Sequence, residues 1–459
     1  MSKNLLKFLA VGVCTLGLMS SCGEDRTGEY LALVGTQKWM YQTMQENYLF
    51  YEDLPDEDRL NFFAKPQQFL DQVISNKDRK NGYKFSHVDS IYVQPKSRAD
   101  IRPSFGLECA LIRIQNGTEA FRILYTEKDS PAEEAQLKRG DWIIAVNGKK
   151  INQNTYGKLI ARPTEACSFT MGSFNGTDFD TLQVVQMPSP RVVAENDFLE
   201  THFVESGNRK AFYMLYNKFG KDDKQVMEVF KQLAGQQVDD IILDLRYNPG
   251  GYVHTSLIMG SNLAPTEAIH KPLVKMKSND KLNQTEEHLI DTKFMAGGAP
   301  LSYQNLYVIT SEQTASAAEL LINGLRPFMK GRLWQVGMPT YGKNVAQRLF
   351  LNKEHPMLEF WLTTFSLSNS EDFGDYFTNG LKPDFLLEET FGGELGELGT
   401  STDGLMVPIL YHMAQGAFPQ EKDEKEESTV TSRSSMGIVL YHSIADKPKE
   451  LKLEEGFRK

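Results

Sequence analysis

The sequence predicts a multidomain α+β protein made of a small helical amino-terminal domain, a β module and a larger α/β domain. Three observations carry that reading. A chain of 459 residues is long enough for about three domains at roughly 150 residues each. Near residue 103 the hydrophobic pattern changes from helical spacing to short alternating strands. Near residue 190 it changes again, and helices begin to alternate with uniformly apolar, strand-length runs, the pattern of a layered α/β structure.

Hydrophobic residues make up 41% and charged residues 24% of the chain, the balance of globular protein. The formal net charge of -10 speaks against a nucleic-acid binder, because phosphate binding draws on clustered Lys and Arg. Partners are therefore expected to be peptide or protein. No C-x-x-C or H-E-x-x-H spacing occurs, so neither a metal nor another cofactor is expected.

Residues 1–21 read as an export signal. Lys3 and Lys7 precede an apolar run, Phe8 to Met19, that is too short for a permanent membrane span. The order Leu18-Met19-Ser20-Ser21-Cys22 resembles a bacterial lipobox, with Met19 where Leu is usual. That resemblance implies lipidation of Cys22 and a lipid anchor in the cell envelope, on the periplasmic or the cell-surface face of the outer membrane. The plainer alternative is a secretory signal cleaved near Ser21. Residues 22–32 are polar and suit a tether. Of the remaining cysteines, Cys109 and Cys167 fall in strand-like segments of one domain. They are candidates for a disulfide in an oxidising compartment, but small apolar core residues are the preferred reading.

Residues 33–95 form the expected helical domain. Tyr41, Met44, Tyr48 and Tyr51 recur at helical spacing, and Pro66 opens a second helix containing Phe69, Leu70, Val73 and Ile74. An aromatic stripe of this kind is core, not a cofactor site. Residues 103–188 contain the runs LECALIRI, FRILY, WIIAVNG and LQVVQM. Within Ser130 to Ile151, the residues Gly140, Asp141, Ile143, Val146, Asn147 and Gly148 resemble the strand-and-hairpin signature of PDZ domains. Asn147-Gly148 is a hairpin turn because both positions tolerate positive φ. Phe105, Gly106 and Leu107 stand where a PDZ domain keeps the loop that receives a peptide's terminal carboxylate, so the resemblance implies peptide binding there by strand addition.

From 190 to 395, strands are expected at 211–216, 239–251 and 305–310, with helices at 226–235 and 317–325. After Gly392 the pattern weakens, and 396–459 reads as an extension with a charged, solvated stretch at 420–435. Three pieces of the α/β region carry chemistry. A buried strand runs into Asn248-Pro249-Gly250-Gly251, where adjacent glycines let the backbone bring an N–H close to a ligand. Thr314-Ala315-Ser316-Ala317-Ala318-Glu319 joins a strand to a helix start, where unpaired N–H groups suit an oxyanion and the Ser316 hydroxyl is expected to be exposed. Gly342-Lys343 and Gln347 follow another strand end.

This ordered set resembles the carboxyl-terminal processing peptidases, or tail-specific proteases, serine peptidases with a PDZ domain. The resemblance implies a ClpP/crotonase-like α/β catalytic domain, with Ser316 as nucleophile, Lys343 as general base and Gln347 as the side chain that orients the lysine. It further implies Gly250 or Gly251, together with Ala317, as the oxyanion hole, and polypeptide substrates engaged near their carboxyl terminus. A lysine serves as base only when neutral, so the free value of about 10.4 must be depressed by apolar surroundings. Val336 and Val345 are candidates to supply them. A Ser-His-Asp triad through His87, His202 or His254 is the chemical rival, but no G-x-S-x-G elbow surrounds any serine. The functional alternative is a non-proteolytic, peptide-binding scaffold or sensor with the same fold.

Overall fold

The computed structural model describes residues 27–90, 103–152, 163–194, 196–221, 223–354, 358–420, 437–449 and 451–453. The export signal, Cys22 and residues 421–435 of the charged stretch lie outside the described residues.

A six-stranded sheet occupies the centre, in the order Phe198–Ser206, Arg209–Tyr216, Asp240–Asp244, Asn305–Thr310, Leu333–Gly337 and Phe385–Leu386. The first two strands are an antiparallel hairpin and all later neighbours are parallel. The third strand is shorter than the expected 239–251. After Asp244 the chain leaves the ladder and Pro249, with no N–H, cannot rejoin it.

Alternate residues of these strands feed opposite cores. Met214, Ile241, Leu243, Leu306 and Val308 face the helices Lys224–Ala234, Val253–Leu263 and Ala317–Leu325. Tyr213, Leu215, Ile242, Tyr307 and Ile309 face Met406, Ile409 and Met413 of the helix Met406–Gln415, together with Ala110, Ile112 and Trp142 of the β module. Both faces are covered, which is why the strands read as continuous apolar runs.

The β module has the strand order Gly437–His442, Leu107–Ile114, Glu119–Thr126, Trp142–Val146, Ser168–Phe174 and Phe179–Gln186. Asn147 and Gly148 take φ of 50° and 70°, and the hairpin forms where the turn chemistry places it. Cys109 and Cys167 are free thiols in this module's core, each pushed above the ordinary thiol range by burial. A buried charge knot ties the module to the central sheet. Arg139 donates to Glu389 (2.6 Å), to the Tyr247 hydroxyl (2.8 Å) and to the Gly396 carbonyl (2.9 Å). Arg246, fully buried, reaches Asp244, Glu389 and Asp403. Each charge in the knot is paired, as burial requires.

Two parts differ from expectation. Helix Thr27–Asn47 begins inside the expected tether, and the amino-terminal region is not purely helical. It adds the short pair Arg79–Lys80 and Tyr83–Lys84 and the strand His87–Ser90, which joins a second sheet against Leu358–Ser368. Its core residues Met40, Met44, Tyr48 and Phe69 pack with Phe360 and Leu362, because two helices bury too little surface to stand alone.

The region read as an extension is likewise built into the body. Besides helix Met406–Gln415, it supplies an edge strand to the β module and the strand Leu451–Leu453 to the second sheet. That sheet runs Gly251–Tyr252, Leu451–Leu453, Val345–Leu351, Leu358–Ser368, Pro272–Lys277 and Thr285–Leu289. Among the described residues no helix is long and apolar enough to cross a membrane.

Candidate active site

The three motifs converge. Strand Asn305–Thr310 ends at the loop before Ser316, which caps helix Ala317–Leu325 with φ 63° and ψ -112°. A non-glycine residue held in such a conformation costs on the order of 1–3 kcal/mol, and the surroundings must impose it. Glu319 does so. Its Oε2 accepts from the Ser316 N–H (2.7 Å) and the Lys343 N–H (2.8 Å), and its Oε1 accepts from the Gly342 N–H and the Thr340 hydroxyl (both 2.5 Å). One carboxylate thus places Ser316 and Lys343 side by side. Burial pushes the Glu319 carboxyl above its ordinary range and these donors pull it back.

Ser316 and Lys343 are both fully buried, so the expected exposed hydroxyl is corrected. Lys343 Nζ donates to Gln347 Oε1 and to the Lys449 carbonyl, each at 2.6 Å, and sits 5.1 Å from the centre of the Phe85 ring. Phe85, Ala315, Tyr341 and Val345 form the apolar wall here. Val336 does not, because it faces the opposite core.

Gln347 is fixed in turn. Its Nε2 donates to Thr363 Oγ1 (2.9 Å), and Thr363 donates to Asp78 Oδ1 (2.5 Å). Asp78 also accepts from the Ser86 hydroxyl and from Tyr48 (3.0 Å). Sequence reasoning missed Asp78 and Thr363, since no local pattern links an aspartate of the amino-terminal region to a strand residue far along the chain.

Burial raises the Asp78 carboxyl to about 6, despite three hydroxyl donors and the Lys343 charge. A carboxyl raised on folding adds stability below its unfolded value near 4, and that stability is lost as pH rises through about 6. Relative to Asp78→Asn, the wild type should therefore lose about 3 kcal/mol between pH 4 and pH 7, two units at 1.36 kcal/mol each. Urea titrations of both proteins at the two pH values measure this, and parallel curves would refute it.

The glycine turn meets the same place, for the Asn248 carbonyl accepts from the Ala315 N–H at 3.0 Å. The Gly250 N–H donates to Asn248 Oδ1 at 2.9 Å, which removes Gly250 from the expected oxyanion donors. Gly251 and Ala317 stay as candidates, Ala317 at the positive end of its helix. Gly251 has φ 144°, and a Cβ there would lie 2.0 Å from the Phe219 carbonyl oxygen, so no other residue fits.

The peptide loop is arranged differently from expectation. Phe105 is buried against Phe169, the Gly106 N–H donates to Ser104 Oγ (3.2 Å), and Leu107 opens a strand whose outer edge already carries Gly437–His442. That edge is not open to strand addition. The rival histidines are engaged elsewhere. His87 stacks on Trp361, His202 packs at a tilt against Tyr213 and bonds the Gly399 carbonyl, and His254 faces Asp223. Among the described residues no group of three or more His, Cys, Asp or Glu could hold a metal ion.

Residues 210–387 match peptidase family S41, residues 35–87 the peptidase S41 N-terminal domain and residues 122–161 a PDZ domain. A carboxyl-terminal-processing protease of Picosynechococcus sp. is 23% identical over 358 residues, covering 75% of this chain and 82% of that protein. A Bacteroides fragilis NCTC 9343 protein named as an S41 protease, solved by crystallography, is 25% identical with a TM-score of 0.70, covering 82% of this chain and 97% of that one. The chain is a serine peptidase whose residues 210–387 match peptidase family S41, and it is similar to carboxyl-terminal-processing proteases.

Proposed function

We propose that this peptidase cleaves polypeptides with a Ser316–Lys343 dyad, engaging them near a carboxyl terminus. The observation that carries the reading is the Glu319 carboxylate, which binds the backbone of both residues while Gln347 holds the lysine amine. Ser316 Oγ attacks the scissile carbonyl carbon as its proton passes to neutral Lys343 Nζ. The N–H groups of Gly251 and Ala317 stabilise the oxyanion. Lys343 then protonates the leaving amine, and water, deprotonated by Lys343, hydrolyses the Ser316 ester. A serine-acylating probe should add to Ser316 in an intact-mass measurement, and modification at any other residue would overturn the assignment.

The same proposal places the enzyme in the cell envelope, held by acyl chains on Cys22. Cleavage before Cys22 removes the apolar run Phe8 to Met19, so anchoring falls to acyl chains on Cys22, and stable anchoring takes two membrane signals. Cys22→Ser should shift the protein from the membrane to the soluble fraction and stop incorporation of labelled fatty acid. Retention in membranes washed at high salt would refute the anchor.

A further inference from the structure

The stretches Gly437–Lys449 and Leu451–Leu453 follow one path across the molecule. Gly437–His442 runs antiparallel to Leu107–Ile114, from Gly437 opposite Ile114 to His442 opposite Ala110. Its carboxyl end therefore points toward the Ser104–Gly106 loop, the polarity of a peptide added to a PDZ edge. Ser443 continues the path by accepting from the Cys109 N–H at 3.0 Å. The Lys449 carbonyl then accepts from Lys343 Nζ at 2.6 Å, and Leu451–Leu453 lies between Gly251–Tyr252 and Val345–Leu351, parallel to both, with Leu451 opposite Gly251. The strand beside the β module, the base and the oxyanion glycine are thus all met by one segment of this chain.

We infer that residues 437–453 are a resident occupant of the enzyme's own polypeptide path, which has to be released before an external chain can be cleaved. The inference rests on the assignment of Ser316 and Lys343 as the dyad. A peptidase must admit a polypeptide to its nucleophile, yet both residues have no exposed surface with the segment in place. Its hold on the β module is shallow, with Ile438 70% and Val439 42% exposed. It is joined to the rest of the chain through the charged, Ser/Thr-rich run 421–436. Leu451 and Leu453 are buried in the helix-side core, and their strand pairs with Gly251 and with Gln347–Arg348 as an added extended chain would.

The test compares the full chain with a chain lacking 437–459, both carrying Ser316→Ala so that nothing is cleaved. A fluorescent peptide with the sequence of 437–453 should bind the shortened chain at least ten-fold more tightly than the full chain, read by anisotropy. Equal affinity overturns the inference. If the shortened chain fails to fold by circular dichroism, Val439→Pro in the full chain replaces it, because proline breaks an edge-strand pairing with little effect on the core. That variant should bind the peptide several-fold more tightly, and no gain overturns the inference.

With Ser316 restored, the shortened chain should hydrolyse an unfolded polypeptide on the order of ten-fold faster. If the peptide binds as expected and neither form hydrolyses, the dyad is wrong while the resident segment stands. Slower hydrolysis by a folded, shortened chain, restored by added peptide, would show the segment to be a fixed part of the site and overturn the inference.

Discussion

Ser316→Ala is expected to reduce hydrolysis of a carboxyl-terminally labelled, unfolded polypeptide on the order of a million-fold, the scale on which loss of a serine nucleophile is felt. Stability should change little. The positive φ of Ser316 is imposed through its backbone by Glu319, and alanine keeps the same Cβ, so the strain is neither relieved nor increased. The thermal midpoint should stay within a few degrees of wild type. Turnover within ten-fold of wild type would eliminate Ser316 as nucleophile.

Lys343→Ala should be comparably inactive, and Lys343→Arg should not rescue it. A guanidinium stays protonated under all accessible conditions, so it can occupy the place of a cation but cannot take a proton from serine. The two variants separate base from charge partner, and activity in the arginine protein would assign Lys343 to the second role. Their stabilities should also differ from that of Ser316→Ala. Lysine removal leaves the Gln347 Oε1 and the Lys449 carbonyl without the donor they now share, and each unsatisfied buried group costs about 1–3 kcal/mol. Calorimetric midpoints alongside single-turnover assays record both effects.

The features legible in the amino-acid sequence are those whose cause is local. Asn147-Gly148 specifies its hairpin because only residues tolerant of positive φ make that turn. Ala317–Leu325 was expected over the residues where it forms, since an apolar run of good helix formers follows a capping serine. The order of the glycine turn, the Ser316 segment and the Lys343 segment pointed to the peptidase match over residues 210–387. The weakening pattern after Gly392 misled, because Gly437–His442 and Leu451–Leu453 are short strands completed by partners far away in the chain.

Only the tertiary structure decided how the site is held. Asp78 reaches Gln347 through Thr363, Glu319 accepts from the backbone of both Ser316 and Lys343, and the Asn248 side chain engages the Gly250 N–H. The structure also decided that Ser316 is buried rather than exposed. Propensity and hydrophobic period act over a few residues, whereas hydrogen-bond partners and burial depend on which distant segments packing brings together.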